Sequence, residues 1–207
     1  MTRMLAKVCG LTHATDLARA QAVGAELLGF VFHPESPRHC QDLLQLAPQA
    51  GDRGVLVTVA DTLAPILALL AQTPLQRVQP YLPVDVRAAA VHELRAAGYQ
   101  VLLPWYDAPD QPHIDAELYI WETAQGDTGV HGGSGQTHSG RYPPPGPFLL
   151  AGGMSAETVA ARADALDPIA RSALRGFDAA SRLESTPGRK DLDRLNAFVN
   201  EVHRYAV

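Results

Sequence analysis

Cys9 ends the apolar run Leu5 to Cys9 and is followed at once by Gly10-Leu11-Thr12. A thiol in that place stands at a strand end, where a loop begins and a ligand can be met. An ordinary thiol titrates near about 8.5, so it acts in its ionised form only in an electropositive setting. Beyond the next apolar run, with Gly29-Phe30-Val31-Phe32, comes Ser36-Pro37-Arg38. Cys9 and Arg38 can face one pocket only if their two strands lie side by side. Glycine-rich stretches suggest a second chemistry. Gly132-Gly133-Ser134-Gly135 and Gly152-Gly153 each follow a later β-type run. Glycine lets backbone N–H groups approach an anion, and a helix N-terminus adds a favourable dipole. Either stretch alone reads equally as a tight turn; at successive strand ends the two together favour a phosphate. Ser155 is placed to cap a helix beginning near Ala156, without the reciprocal capping box.

Eight strand–helix units have to position these groups. The β-type runs are Leu5 to Cys9, Leu27 to Phe32, Gly54 to Val59, Arg77 to Pro80, Val101 to Trp105, Leu118 to Glu122, Phe148 to Ala151 and Leu174 to Ala179. Helical patterns span His13 to Val23, Asp42 to Gln49, Leu63 to Ala71, Asp85 to Ala97, Ala156 to Ala165 and Leu192 to Tyr205. Gly98 reads as a left-handed cap. Alternation argues for a parallel sheet, and eight units argue for closure, which removes exposed edges. An open doubly wound sheet would need a glycine-rich turn after its first strand, which Cys9-Gly10-Leu11-Thr12 is not. The expected class is α/β, a small (β/α)8 TIM barrel in one domain over residues 1–207, with its site at the C-terminal strand ends. Asp107 to Ala116, with two prolines, and the Gly- and Pro-rich Gly126 to Pro147 read as loops. One or two helices are then reduced.

Composition narrows the function. The chain has 207 residues, 46% hydrophobic and 19% charged, which suits a sizeable core and argues against disorder. A net charge of −5 without a basic patch argues against nucleic acid as a partner. The apolar runs are too short for a membrane span, and Met1 to Ala6 is too short for a signal peptide. The expected location is the cytoplasm, where Cys9 and Cys40 would be free thiols.

The stretches above resemble the phosphoribosylanthranilate isomerases of tryptophan biosynthesis. The matching blocks are Lys7 to Thr12, Gly24-Ala25, Leu28 to Phe32, Ser36 to Arg38, Gly132 to Gly135, Leu150 to Gly153, and Glu184-Ser185 with Pro187-Gly188 and Lys190-Asp191. The resemblance implies an Amadori rearrangement of an aminoaldose phosphate to an aminoketose phosphate. A general acid protonates the furanose ring oxygen and opens the ring to a Schiff base. A general base removes the C2 proton, and the enolamine tautomerises to the ketone. No metal or redox cofactor is implied, and the partner is a small sugar phosphate, bound by a monomer or a homodimer. Cys9 matches the base; a buried core cysteine is the bland alternative. Arg38 matches the residue at the anthranilate end, where a guanidinium can grip a carboxylate. Gly133, Ser134, Gly152, Gly153 and Ser181 match the phosphate site. Asp178 matches a residue that orients substrate hydroxyls or acts as a structural hydrogen bonder.

Four places depart from that pattern. The family's acid is an aspartate in a Leu-Leu-Leu-Asp-Thr type of run, where this chain reads Tyr119-Ile120-Trp121-Glu122-Thr123. Glu122 takes its role with a head one methylene further out, and Asp127 is a lesser candidate. After Gly135 an aromatic-Asp-Trp trio is replaced by Gln136-Thr137-His138, with His138 a loop residue or a ligand contact. After the eighth strand, Asp178-Ala179-Ala180-Ser181-Arg182 stands for Asp-Val-Ser-Ser-Gly. Arg182 either grips the phosphate directly or points to solvent. Gln79-Pro80-Tyr81 keeps the glutamine of a Gln-Leu-His-Gly run and loses the histidine. A working isomerase is the leading expectation. A diverged barrel that processes, or merely binds, another sugar phosphate is the rival.

Overall fold

Short runs of branched and aromatic residues, broken by glycine, proline or charge, become strands that a closed sheet buries on both faces. The computed structural model describes residues 3–122 and 140–205. Eight parallel strands close in chain order into a barrel, β1 (Leu5–Cys9), β2 (Leu27–Phe32), β3 (Gly54–Val59), β4 (Arg77–Tyr81), β5 (Gln100–Tyr106), β6 (Leu118–Glu122), β7 (Phe148–Leu150) and β8 (Leu174–Ala179), with β8 pairing back onto β1. Helices α1 (Ala14–Ala22), α2 (Leu43–Ala50), α3 (Ala64–Leu70) and α4 (Val84–Ala96) follow the first four strands. The α4 helix ends at Gly98, whose φ of +90° is the expected left-handed cap. As expected, no helix fills the β5–β6 connection.

Strands alternate faces with period two, so each contributes to two apolar layers. Cys9, Leu27, Val55, Val57, Tyr81, Leu102, Ile120 and Leu149 fill the barrel interior. Their neighbours Val8, Leu28, Leu56, Val78, Trp121 and Phe177 pack outward beneath the helices.

Past β7 the structure corrects the expected helix start. Helix α5 runs Val159–Asp164, starting three residues later than Ala156, and its first residue follows Thr158. Ser155 is no cap: its hydroxyl donates to Glu157 at 2.6 Å, while its own N–H donates to Thr158 Oγ1. A further helix, α6 (Pro168–Ala173), was not expected. Asp167 caps it through the N–H groups of Ile169 and Ala170, with Pro168 at its first position. After β8 come a single 3-10 turn (Ser181–Leu183), a small antiparallel hairpin of β9 (Glu184–Thr186) and β10 (Arg189–Lys190), and α7 (Leu192–Arg204). No helix among the described residues is long and apolar enough to cross a membrane.

Candidate active site

Strand β1 places Lys7 and Cys9 on its inward face, two residues apart. Register sets Lys7 beside Asp178 of β8 and Cys9 beside Gly29 of β2. A Cβ at Gly29 would lie 2.8 Å from Cys9 Sγ, so glycine is what leaves room for the sulfur. Lys7, wholly buried, donates to Asp178 Oδ2 at 2.9 Å and also hydrogen-bonds Cys9. Burial pulls the lysine down, but Asp178 and Cys9 outweigh it and hold the ammonium above its ordinary pKa. Burial pushes the Cys9 thiol up; Lys7 and Lys190 pull it down and Asp178 adds to the rise, leaving it above the usual thiol range. In the free protein Cys9 is a thiol, with two ammonium groups at hand to receive its negative charge.

Opposite this trio, β4 and β6 supply a chain of hydrogen bonds. Gln79 Nε2 donates to Tyr81 Oη at 2.9 Å, and Tyr81 donates to Glu122 Oε2 at 3.2 Å. Burial lifts the Glu122 carboxyl to about 8, against the Tyr81 hydrogen bond, which lowers it. Glu122 is thus a protonated acid at neutral pH. Its Oε2 accepts from Tyr81, so the proton belongs on Oε1, which is buried and has no partner. Gln79 Oε1 and Asp178 Oδ1 are buried without a partner too. Buried polar atoms are nearly always satisfied, so unpaired atoms on β4, β6 and β8 point to a polar ligand. The two halves share one interior: Tyr81 feels both Glu122 and Cys9, and Glu122 feels Lys7 and Asp178. Cys9 and Glu122 each keep 7% exposure, within reach of a ligand that enters the barrel mouth.

Arg38 reaches the same end of the barrel. Gly10, at φ +76°, passes beneath its stem; a Cβ there would meet Arg38 Cδ at 2.8 Å. Its guanidinium grips Glu184 with two bonds of 2.8 Å. Lys190 donates to the same carboxylate at 3.0 Å. Two cations on one carboxylate leave a surplus positive charge, suited to a ligand carboxylate.

Beyond β7 and β8 lies a cavity of about 400 Å³ lined by Ser155, Ala156, Glu157, Ser181, Arg182, Leu183 and Arg194. Arg182 and Arg194 outnumber Glu157, which is turned to Ser155. Arg194 is held by the Glu184 carbonyl at 2.9 Å. Gly152 and Gly153, at φ +81° and +67°, make the left-handed turn that leads into this cavity. Their carbonyls accept from Arg162 and Thr158. Gly133, Ser134, Asp127 and His138 lie outside the described residues.

The structure therefore brings Cys9, Gln79, Glu122 and Asp178 into one interior, Arg38 onto its rim, and Ser181 and Arg182 into the adjoining cavity. Sequence reading passed over Lys7, Glu184, Lys190 and Arg194 as site groups and gave Tyr81 no role. Lys7 was legible: two residues before Cys9 on a strand is the same face. The others depend on contacts across the fold. Among the described residues, no three His, Cys, Asp or Glu side chains gather as metal ligands do.

Comparison with known proteins bears on the family and the fold. No family model matches the chain. The N-(5'-phosphoribosyl)anthranilate isomerase of Acidithiobacillus ferrooxidans is 34% identical over 209 residues, covering 95% of this chain and 96% of that protein. The Paracoccus denitrificans protein of the same name is 33% identical, covering 93% of this chain and 94% of its own length. The crystal structure of TrpF from Jonesia denitrificans superposes with a TM-score of 0.74 at 30% identity, covering 96% of each chain. The Pyrococcus furiosus isomerase, at 17% identity, shares the fold with a TM-score of 0.77, covering 98% of this chain and all of the other. The chain belongs to the N-(5'-phosphoribosyl)anthranilate isomerase family.

Proposed function

We propose that this chain converts N-(5'-phosphoribosyl)anthranilate to 1-(2-carboxyphenylamino)-1-deoxyribulose 5-phosphate, as its family membership states, with Glu122 as acid and Cys9 as base. The supporting observation is a protonated carboxyl with an unpartnered Oε1 and a lysine-flanked thiol inside one barrel. Glu122 gives its proton to the furanose ring oxygen. The C1–O bond breaks and the nitrogen lone pair forms the C1=N bond of a cationic Schiff base. Cys9, as thiolate, takes the C2 proton, and that electron pair neutralises the nitrogen to give the enolamine. Transfer of a proton to C1, with loss of the O2 proton, gives the ketone and closes the balance of an isomerisation. Glu122 titrates near 8 and Cys9 above the usual thiol range, so the form with an acid proton and a thiolate is a minor one in the free protein. Lys7, Lys190 and the cationic Schiff base are the charges that favour it in the complex.

Arg38 with Lys190 binds the anthranilate carboxylate. Asp178 and Gln79 offer their unpartnered oxygens to the sugar hydroxyls. Ser181, Arg182 and the turn at Gly152 and Gly153 hold the phosphate end, and Gly133 and Ser134 complete it. We read residues 1–207 as one barrel domain that works in the cytoplasm as a monomer or homodimer, without nucleic acid. Complementation of a tryptophan auxotroph lacking this isomerase tests the reading: growth is expected with the wild-type chain and not with Cys9→Ala. Equal growth of both would remove the thiol from the mechanism, and no growth with either would favour the rival, a barrel acting on another sugar phosphate.

A further inference from the structure

Tyr81 is a phenol on the interior face of β4, wedged between an amide that donates to it and the carboxyl to which it donates. Nothing in the reaction itself asks for a phenol there. We propose that Tyr81 is a positioning residue for Glu122, holding its carboxyl in place with the proton on the oxygen that has no partner within the protein. The proposal rests on Glu122 being the acid of the isomerase reaction.

Three observations carry it. The hydroxyl donates to Oε2 of Glu122, while Oε1 has no partner, so the contact selects which oxygen holds the proton. Gln79 donates to the phenol oxygen, which polarises the O–H toward Glu122 and fixes its direction. Both side chains are buried, so water does not compete for the contact. At 3.2 Å the bond is long for a hydroxyl donor, as suits a neutral carboxyl acceptor. Once Glu122 has given up its proton, Oε2 becomes part of an anion and a far better acceptor, so the bond strengthens as the reaction needs it. Removing the hydroxyl withdraws a contact that favours the ionised acid, so Glu122 should hold its proton to higher pH. The other groups facing Glu122 are Tyr106 of β5, Lys7 of β1 and Asp178 of β8, none of which Tyr81→Phe alters.

The test is Tyr81→Phe, with Glu122 titrated by 13C carboxyl NMR of glutamate-labelled protein and its resonance assigned by its loss in Glu122→Gln. The midpoint should rise by about 0.5 pH unit or more. In steady-state assays kcat should fall by about tenfold or more, with KM changed by less than about threefold. In a Glu122→Asp background the shorter acid withdraws from the phenol, so Tyr81→Phe should then cost less than about twofold. Gln79→Leu, which keeps the phenol, should shift the same midpoint upward by less, and serves if Tyr81→Phe does not fold. An unmoved midpoint together with an unchanged kcat would overturn the proposal. If the wild-type chain does not turn over phosphoribosylanthranilate, the isomerase reading falls, while the Glu122 midpoint still decides the relay.

Discussion

Glu122 shows how far burial can move one side chain. Its carboxyl is lifted from 4.5 to about 8, because the barrel interior disfavours the anion and Tyr81 only partly compensates. The consequence for stability has a definite sign. Below pH 4.5 folded and unfolded chains both keep the proton. Between 4.5 and 8 the unfolded chain releases it and the folded chain does not, so stability present in acid is lost as pH rises through that window, by up to about 1.4 kcal/mol per unit. Glu122→Gln cannot titrate. The melting temperature of Glu122→Gln relative to wild type should climb from pH 4.5 to 8 and then level off; a flat difference would mean that Glu122 is ionised in the folded chain. The sequence shows a carboxylic acid at the end of β6. Its protonation state comes first from burial in the closed barrel, trimmed by Tyr81, Asp178 and Lys7, which arrive on three other strands and leave no trace in local spacing.

Strands were the most legible elements. The bounds of β1, β2, β3, β6 and β8 stand as read from the sequence, because apolar runs cut by glycine, proline or charge are unambiguous when both faces are buried. Ends of β4, β5 and β7 differ by one residue, at Tyr81, at Gln100 and Tyr106, and at Ala151. Helix α6 went unread although Asp167-Pro168 is a cap followed by a first-turn proline, since six residues give no periodicity to count. Ser155 misled because a hydroxyl before a helical run can bond a side chain instead of a backbone N–H. Pairing between elements carries the clearest energetic test. The β1–β8 register sets Lys7 against Asp178, and Asp178→Asn would leave a buried ammonium without its counter-charge. Urea unfolding should show a loss of about 3 kcal/mol or more, larger than for a surface ion pair. A loss under about 1 kcal/mol would mean that Lys7 finds another partner.

At the scale of the whole barrel, the proposed reading divides the ligand among three zones at the C-terminal strand ends. The interior between β1, β4, β6 and β8 is the proposed place of the sugar. The Arg38–Glu184–Lys190 cluster offers charge to a carboxylate, and the cavity near Arg182 and Arg194 offers it to a phosphate. Of the two readings of Arg182, a grip on the phosphate or a side chain in solvent, its place in the lining of that cavity favours the first. Arg182→Ala should raise KM about tenfold and leave kcat nearly unchanged, since a charge-assisted hydrogen bond remote from C1 and C2 contributes to binding alone. An unchanged KM would make Arg182 a bystander.

The central claim is that one thiol and one carboxyl act on the same sugar. Steady-state turnover of phosphoribosylanthranilate by Cys9→Ala and Glu122→Gln, with binding of the reduced product analogue measured on both, tests it directly. Each substitution should lower kcat by roughly 10²–10⁴-fold while the analogue binds as it does to the wild-type chain. Either variant turning over at the wild-type rate would contradict the account.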